Sequence, residues 1–102
     1  MKRDKKLIRE ILEFVRDNGK FQSRYEFVIK ETDFDLSQFS TQDFSVLAYH
    51  FYLAYGAGFI EKGMSSPYQY GNGNVPNSVS FKCLTWLGHE FLDLETDYQQ
   101  GN

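Results

Sequence analysis

Leu7, Ile8, Ile11, Leu12 and Val15 fall at the i, i+1, i+4, i+5, i+8 spacing of one helix face, and Asn18-Gly19 supplies residues suited to ending that helix. Tyr25 to Ile29 are β-branched or aromatic except Glu26, a pattern that predicts a short strand. Thr32 to Ser37 is rich in capping residues and predicts a short helix or turn around Asp35 to Phe39. Ser40-Thr41-Gln42-Asp43 then reads as a helix start, with an acid where the helix dipole favours one, and the helix is expected over Thr41 to Tyr55 before Gly56 and Gly58 stop it. Phe59-Ile60-Glu61 is expected to begin a strand, and Gly63 to Ser78, rich in Gly, Asn, Ser and Pro, reads as a loop. Beyond it, Val79, Phe81 and Cys83 alternate with Ser80, Lys82 and Leu84, the period-two pattern of a half-buried strand. At Thr85 the period changes: Gly88, Phe91, Leu92 and Glu95 recur at helical spacing, so Thr85 is the expected N-cap of a closing helix. Asp97 to Asn102 reads as a polar, frayed tail.

The order helix, strand, short helix, long helix, strand, loop, strand, helix predicts an α+β winged helix-turn-helix. It would have three main helices, a small antiparallel sheet and a long hairpin wing, in a single domain over residues 1–102. A chain of this size buries roughly 60 to 70% of its unfolded surface, enough to fold alone. Ten Phe, seven Tyr and one Trp exceed what a minimal core needs, so some aromatics are expected near the surface. The lone Cys83 cannot form an internal disulfide, and no apolar run approaches the ~20 residues of a membrane span. A cytoplasmic protein is expected.

Charge is uneven. Residues 1–30 hold nine basic against five acidic side chains, +4, whereas residues 31–102 hold only Lys62 and Lys82 against nine acids, −7, consistent with the overall −3. Lys2, Lys5, Lys6, Arg9 and Arg16 cluster opposite the apolar stripe of the first helix; with Lys20 and Arg24 they form either a solvated face or a row of phosphate contacts.

Three blocks resemble a family of small phage- and prophage-borne bacterial proteins, domain of unknown function 2513. They are Met1-Lys2-Arg3-Asp4 with Leu7-Ile8-Arg9 and Ile11-Leu12; Tyr49-His50, Leu53 and Ala57-Gly58-Phe59-Ile60-Glu61; and Leu84-Thr85-Trp86 with Gly88-His89-Glu90-Phe91-Leu92-Asp93. The resemblance implies a winged helix-turn-helix and carries no established activity.

Catalytic chemistry finds few footholds. His50 and His89 have no second ligand at metal spacing, and both read as packing or capping residues. Cys83 in a buried strand is a small hydrophobe before it is a nucleophile. Gly71-Asn72-Gly73-Asn74 lacks the Lys-Ser/Thr of a phosphate loop, and Asp33 and Asp35 read as local backbone acceptors. No enzyme, metal or cofactor is expected.

That leaves binding. The helix that a winged helix would lay in the major groove contains no Lys or Arg and carries Asp43 at its leading end, and the wing offers no basic residue from Gly63 to Val79. The same helix is apolar or aromatic nearly all round. With Val46, Leu47, His50, Leu53, Ala54 and Ala57 as its core stripe, Tyr52 and Tyr55, with Phe44 or Tyr49, are left as surface candidates, and Tyr68 and Tyr70 on the wing could extend them. The expectation is a protein partner or self-association through these aromatics. The alternative is a DNA-binding regulator docked through Lys2, Lys5, Lys6, Arg9, Arg16, Lys20 and Arg24.

Overall fold

A computed structural model describes residues 2–19, 21, 27–61, 68–70 and 76–100. Asp4 opens the first helix, α1 (Lys5–Asn18), by accepting from the amides of Lys6 and Leu7, two of the donors a helix start leaves without partners. The five apolar residues picked out by spacing are all buried. Lys2 and Arg3 precede the helix instead of joining its basic row.

Strand β1 (Phe27–Lys30) follows, then two 3-10 turns at Glu31–Asp33 and Leu36–Gln38. Asp35 caps the second turn, its Oδ1 accepting from the Ser37 amide at 3.0 Å and the Ser37 hydroxyl at 2.6 Å. Those bonds hold its carboxyl below the usual aspartate range. Glu10 ties this connection back to α1, because one carboxylate oxygen accepts from both the amide and the hydroxyl of Ser40, at 2.8 and 2.9 Å.

Helix α2 runs over Phe44–Gly56. Its start lies three residues past the expected Thr41. Asp43, taken as a first-turn acid, is itself the cap and accepts from the Ser45 amide at 2.9 Å. The expected strand at Phe59–Glu61 reduces to one bridge, Ile60 with Leu84, flanked by a hydrogen bond from the Glu61 amide to the Cys83 carbonyl.

Within the span read as a loop, Tyr68–Tyr70 forms strand β2, which pairs antiparallel with β3 (Pro76–Phe81). A hairpin is therefore present, displaced towards the C-terminus, and residues 63–67 and 71–75 of the expected wing lie outside the described residues. So do Lys20, Arg24 and Tyr25. The strand order is β1-β3-β2, with β3 in the centre and Phe27 in register with Phe81. As the central strand, β3 has a neighbour along each edge; Ser78 and Ser80 are buried alongside Val79 and Phe81, so no alternation of exposure is seen from 78 to 81, and Lys82, one residue past the strand, is buried as well. Lys82 holds its ammonium 5.3 Å from the centre of the exposed Phe21 ring.

Helix α3 covers Trp86–Gln100, so residues 97–100, expected as a frayed tail, are helical. Thr85 caps it as expected: its hydroxyl oxygen accepts from the Gly88 amide at 3.1 Å and its hydroxyl donates to the Gly58 carbonyl.

Among the described residues, most of the aromatic side chains are buried or half buried. Phe14 lies within 5.3 to 5.6 Å, ring centre to ring centre, of Phe34, Phe39 and Phe81, and Phe34 touches Phe44 while Phe51 stacks on Phe81. These rings from α1, the 3-10 region, α2 and β3 form one cluster that binds the helices to the sheet.

Candidate partner-binding face

The aromatic surface expected on α2 is smaller than its sequence suggests. Phe44 is 3% exposed inside the ring cluster, and Tyr55 is 8% exposed with its hydroxyl donating to the Ser80 carbonyl at 2.6 Å. Both belong to the core and neither is a surface anchor. The cause is that α2 packs against α1 and β3 together, which buries more than one stripe; Ala48 and Phe51 are buried as well, whereas Ala57, assigned to the core, is exposed. Tyr52 remains half exposed, and half-buried Tyr49 stacks against it at 6.4 Å. Tyr68 and Tyr70 are placed by their backbone in β2.

Periodicity alone misses the larger apolar exposure, on α3. Trp86, Leu87 and Leu94 are 78%, 53% and 65% exposed. Leu87, Phe91 and Leu94 stand at i, i+4, i+7 on one stripe, and Phe91 is half buried against Phe59 at 4.9 Å. The sequence does contain this stripe, but Gly88 and Leu92 beside it mark the true core side.

Between α3 and α2 lies a pocket of about 210 Å³ lined by Ile8, Leu53, Ala57, Phe59 and Phe91, with Arg3 and Lys5 at its rim. Small-molecule sites usually enclose roughly 300 to 1,000 Å³, so this hollow suits a side chain or two from a macromolecule better than a cofactor.

The basic row is partly spent. Arg16 Nε donates to Asp17 at 3.0 Å, a bond that raises the affinity of its guanidinium for its proton, and Arg9 pairs with Glu13 at 3.8 Å. Lys2, Arg3, Lys5 and Lys6 are exposed and enter no ion pair among the described residues.

The two histidines differ. His50 is 1% exposed, accepts the Asp4 amide at Nε2 (3.0 Å) and places Nδ1 2.8 Å from the Val46 carbonyl. A carbonyl can only accept and an amide can only donate, so the ring is neutral with its proton on Nδ1. His50 thus ties the α1 cap to α2 as a packing residue. His89, by contrast, is exposed.

Cys83 lies just past β3 and is half buried, less enclosed than its alternating pattern suggested. Burial, with a smaller contribution from the Glu61 charge, pushes its thiol above the usual range, against an opposing pull from Lys82. Less thiolate at a given pH means slower alkylation. Iodoacetamide at mildly alkaline pH is expected to modify Cys83 several-fold more slowly in the folded protein than in the urea-unfolded chain; equal rates would contradict this placement.

Among the described residues, no group of three or more His, Cys, Asp or Glu is arranged to hold a metal, and no helix is long and apolar enough to cross a membrane. The structure defines a small α-rich domain with three helices and short strands, whose most exposed apolar residues lie mainly on one helix. Residues 2–99 match the family described as hypothetical protein (DUF2513), and the chain belongs to that family. No curated protein and no solved structure matches it.

Proposed function

We propose that this protein is a non-enzymatic accessory protein, of the phage- or prophage-borne kind the family resemblance suggests, that acts by binding protein through an apolar face of α2 and α3. The observation that carries the reading is the exposure of Leu87 and Leu94 beside the Leu53–Phe59–Phe91 hollow, together with Tyr52. Large apolar side chains grouped at a surface mark interaction sites in soluble domains, and aromatic anchors beside small pockets dominate binding energy.

A winged helix-turn-helix architecture is consistent with the β1-β3-β2 order and with α2 placed between β1 and the hairpin. It does not by itself imply DNA. Asp43 caps the leading end of α2, where a groove-reading helix would meet phosphates, and α2 carries no cation. The competing DNA reading rests on Lys2, Arg3, Lys5 and Lys6, since Arg9 and Arg16 have acidic neighbours.

Anisotropy of a labelled random duplex, titrated with protein at low and then moderate salt, separates the two. The expected result is no saturable binding at either salt. Binding that collapses with salt and disappears in Lys5→Glu/Lys6→Glu would overturn the protein-binding reading in favour of a phosphate-docked regulator.

A further inference from the structure

The hollow between α2 and α3 joins apolar walls to a rim whose charge runs against that of the whole chain. Ile8, Leu53, Ala57, Phe59 and Phe91 form its walls, Arg3 and Lys5 its rim, and no acid lines it among the described residues. Residues 2–6 hold four cations against Asp4, a net +3 in a chain of net −3. Arg9 and Arg16 meet Glu13 and Asp17 on their own helix, whereas Arg3 and Lys5 are exposed and form no ion pair among the described residues.

These two cations rise from backbone tied to α2. Asp4, between them in sequence, donates its amide to His50 Nε2 at 3.0 Å and turns its carboxylate onto the amides of Lys6 and Leu7. Arg3 and Lys5 therefore flank an anchored residue, which lowers the ordering cost of using them, and the positive end of the α1 dipole lies at the same place.

We propose that the hollow receives an apolar side chain of an acidic protein segment, whose Asp or Glu carboxylates, within one helical turn of that side chain, pair with Arg3 and Lys5. The inference rests on the protein-binding reading above and gives that surface the chemistry of its partner. Phosphates alone would meet the cations and leave the hollow of about 210 Å³ unfilled. A wholly apolar segment would fill the hollow but take water from two cations without pairing them, and a basic segment would be repelled. An apolar residue beside a carboxylate satisfies both halves of the site. Arg3 offers a planar fork able to hold a carboxylate by two parallel bonds, and Lys5 a point charge. The inserted side chain supplies most of the affinity, while the charges select the partner and speed its arrival.

Selection from a displayed library of random peptides against the whole chain tests this. Enriched peptides are expected to carry Leu, Phe or Trp within a turn of Asp or Glu and to be poor in Lys and Arg. A fluorescein-labelled synthetic copy of the leading peptide should bind at least about tenfold more weakly to Arg3→Glu/Lys5→Glu, at two exposed positions, and to Ala57→Phe, which fills the hollow from an exposed wall position whose αR backbone accepts a larger residue. Circular dichroism checks that each variant is folded, and Arg3→Gln/Lys5→Gln, which removes the charges without adding new ones, should lose part of the affinity. Enriched peptides without acids, or binding that ignores the charge reversal yet is lost in Ala57→Phe, would overturn the acidic partner and leave the protein-binding reading standing. No enrichment, or binding indifferent to Ala57→Phe, would overturn the hollow as the docking site. A dimer in sedimentation velocity that Ala57→Phe dissociates would put a second copy there and overturn the acidic foreign partner. A chain that enriches no peptide and binds a labelled random duplex with steep salt dependence would overturn both readings.

Discussion

Gly88→Ala is expected to destabilise the fold by about 3 kcal/mol, a fall in Tm of more than roughly 10 °C for a domain this size. A β-carbon at Gly88 would lie 2.3 Å from the Phe59 carbonyl oxygen and 3.3 Å from Leu84 Cβ. The first of these is backbone, and that oxygen already accepts the Thr85 amide at 3.0 Å, so it cannot turn aside without breaking the bond that leads into α3. Helix and connection must separate, which takes Phe91 off Phe59 and loosens the buried Leu92. Gly56→Ala provides the contrast. Nothing stands within 4 Å of a β-carbon there, its φ is not positive, and it closes α2, so the same chemical change should stabilise by about 0.5 to 1 kcal/mol through helix propensity and a less flexible unfolded chain. Thermal melts of the two variants should therefore move in opposite directions. A Gly88→Ala melt within about 0.5 kcal/mol of wild type would show that α3 does not approach the Phe59 carbonyl so closely.

The sequence pattern makes some of this architecture legible and conceals the rest for physical reasons. Helix α1 is visible because a single stripe faces the core and its other face is charged, so period and burial coincide at all five positions. Thr85 is visible because a cap is a local device whose partner lies three residues away. Helix α2 hides its orientation. With apolar residues on every side, its sequence cannot tell which stripe faces α1, which faces β3 and which faces outward, and Phe44 and Tyr55 are buried by contacts with Phe34 and Ser80 far away in sequence. Strand β2 is hidden for a related reason: the three residues Tyr68-Gln69-Tyr70 carry too little pattern, and only pairing to β3 defines them. Long-range context decides these positions, as it does for most strand propensities.

The candidate face was legible in kind more than in place. Aromatic surplus predicted surface anchors, yet the surplus went mainly into the Phe14–Phe34–Phe39–Phe44 cluster, leaving Tyr52 with the half-buried Tyr49 on α2. The exposed Leu87 and Leu94 could have been suspected from a second apolar stripe running beside Gly88 and Leu92. Which of two adjacent stripes packs inward depended on Gly88, whose close approach to a carbonyl 29 positions earlier no local pattern records. The basic row was legible as composition, but its two outer arginines have local acidic neighbours, and charge counting assigns no pairing.

Replacing His50 should produce the second large loss, and the order among substitutions distinguishes a polar clasp from simple filling. His50 is enclosed between α1 and α2, and its Nε2 accepts the Asp4 amide that no helix bond satisfies. Val46, by contrast, keeps its ordinary helical partner if the ring is lost, so the orphan created by substitution is the Asp4 N–H, costing about 1 to 3 kcal/mol. His50→Ala adds a cavity to that orphan and is expected to cost about 4 kcal/mol. His50→Leu fills most of the space without an acceptor and should lose about 2 kcal/mol. His50→Gln can place its Oε1 where Nε2 stands, and about 1 kcal/mol should be lost. Urea denaturation of the three variants checks the sequence Ala, Leu, Gln from worst to best. Nitrogen NMR of the wild-type ring should show the Nδ1–H tautomer. If Leu proved as stable as Gln, burial alone would account for His50. The Asp4 amide would then need another partner, and the N-terminal end of α1, with the Arg3–Lys5 rim beside the pocket, would not be held by α2 in the way the hydrogen bond implies.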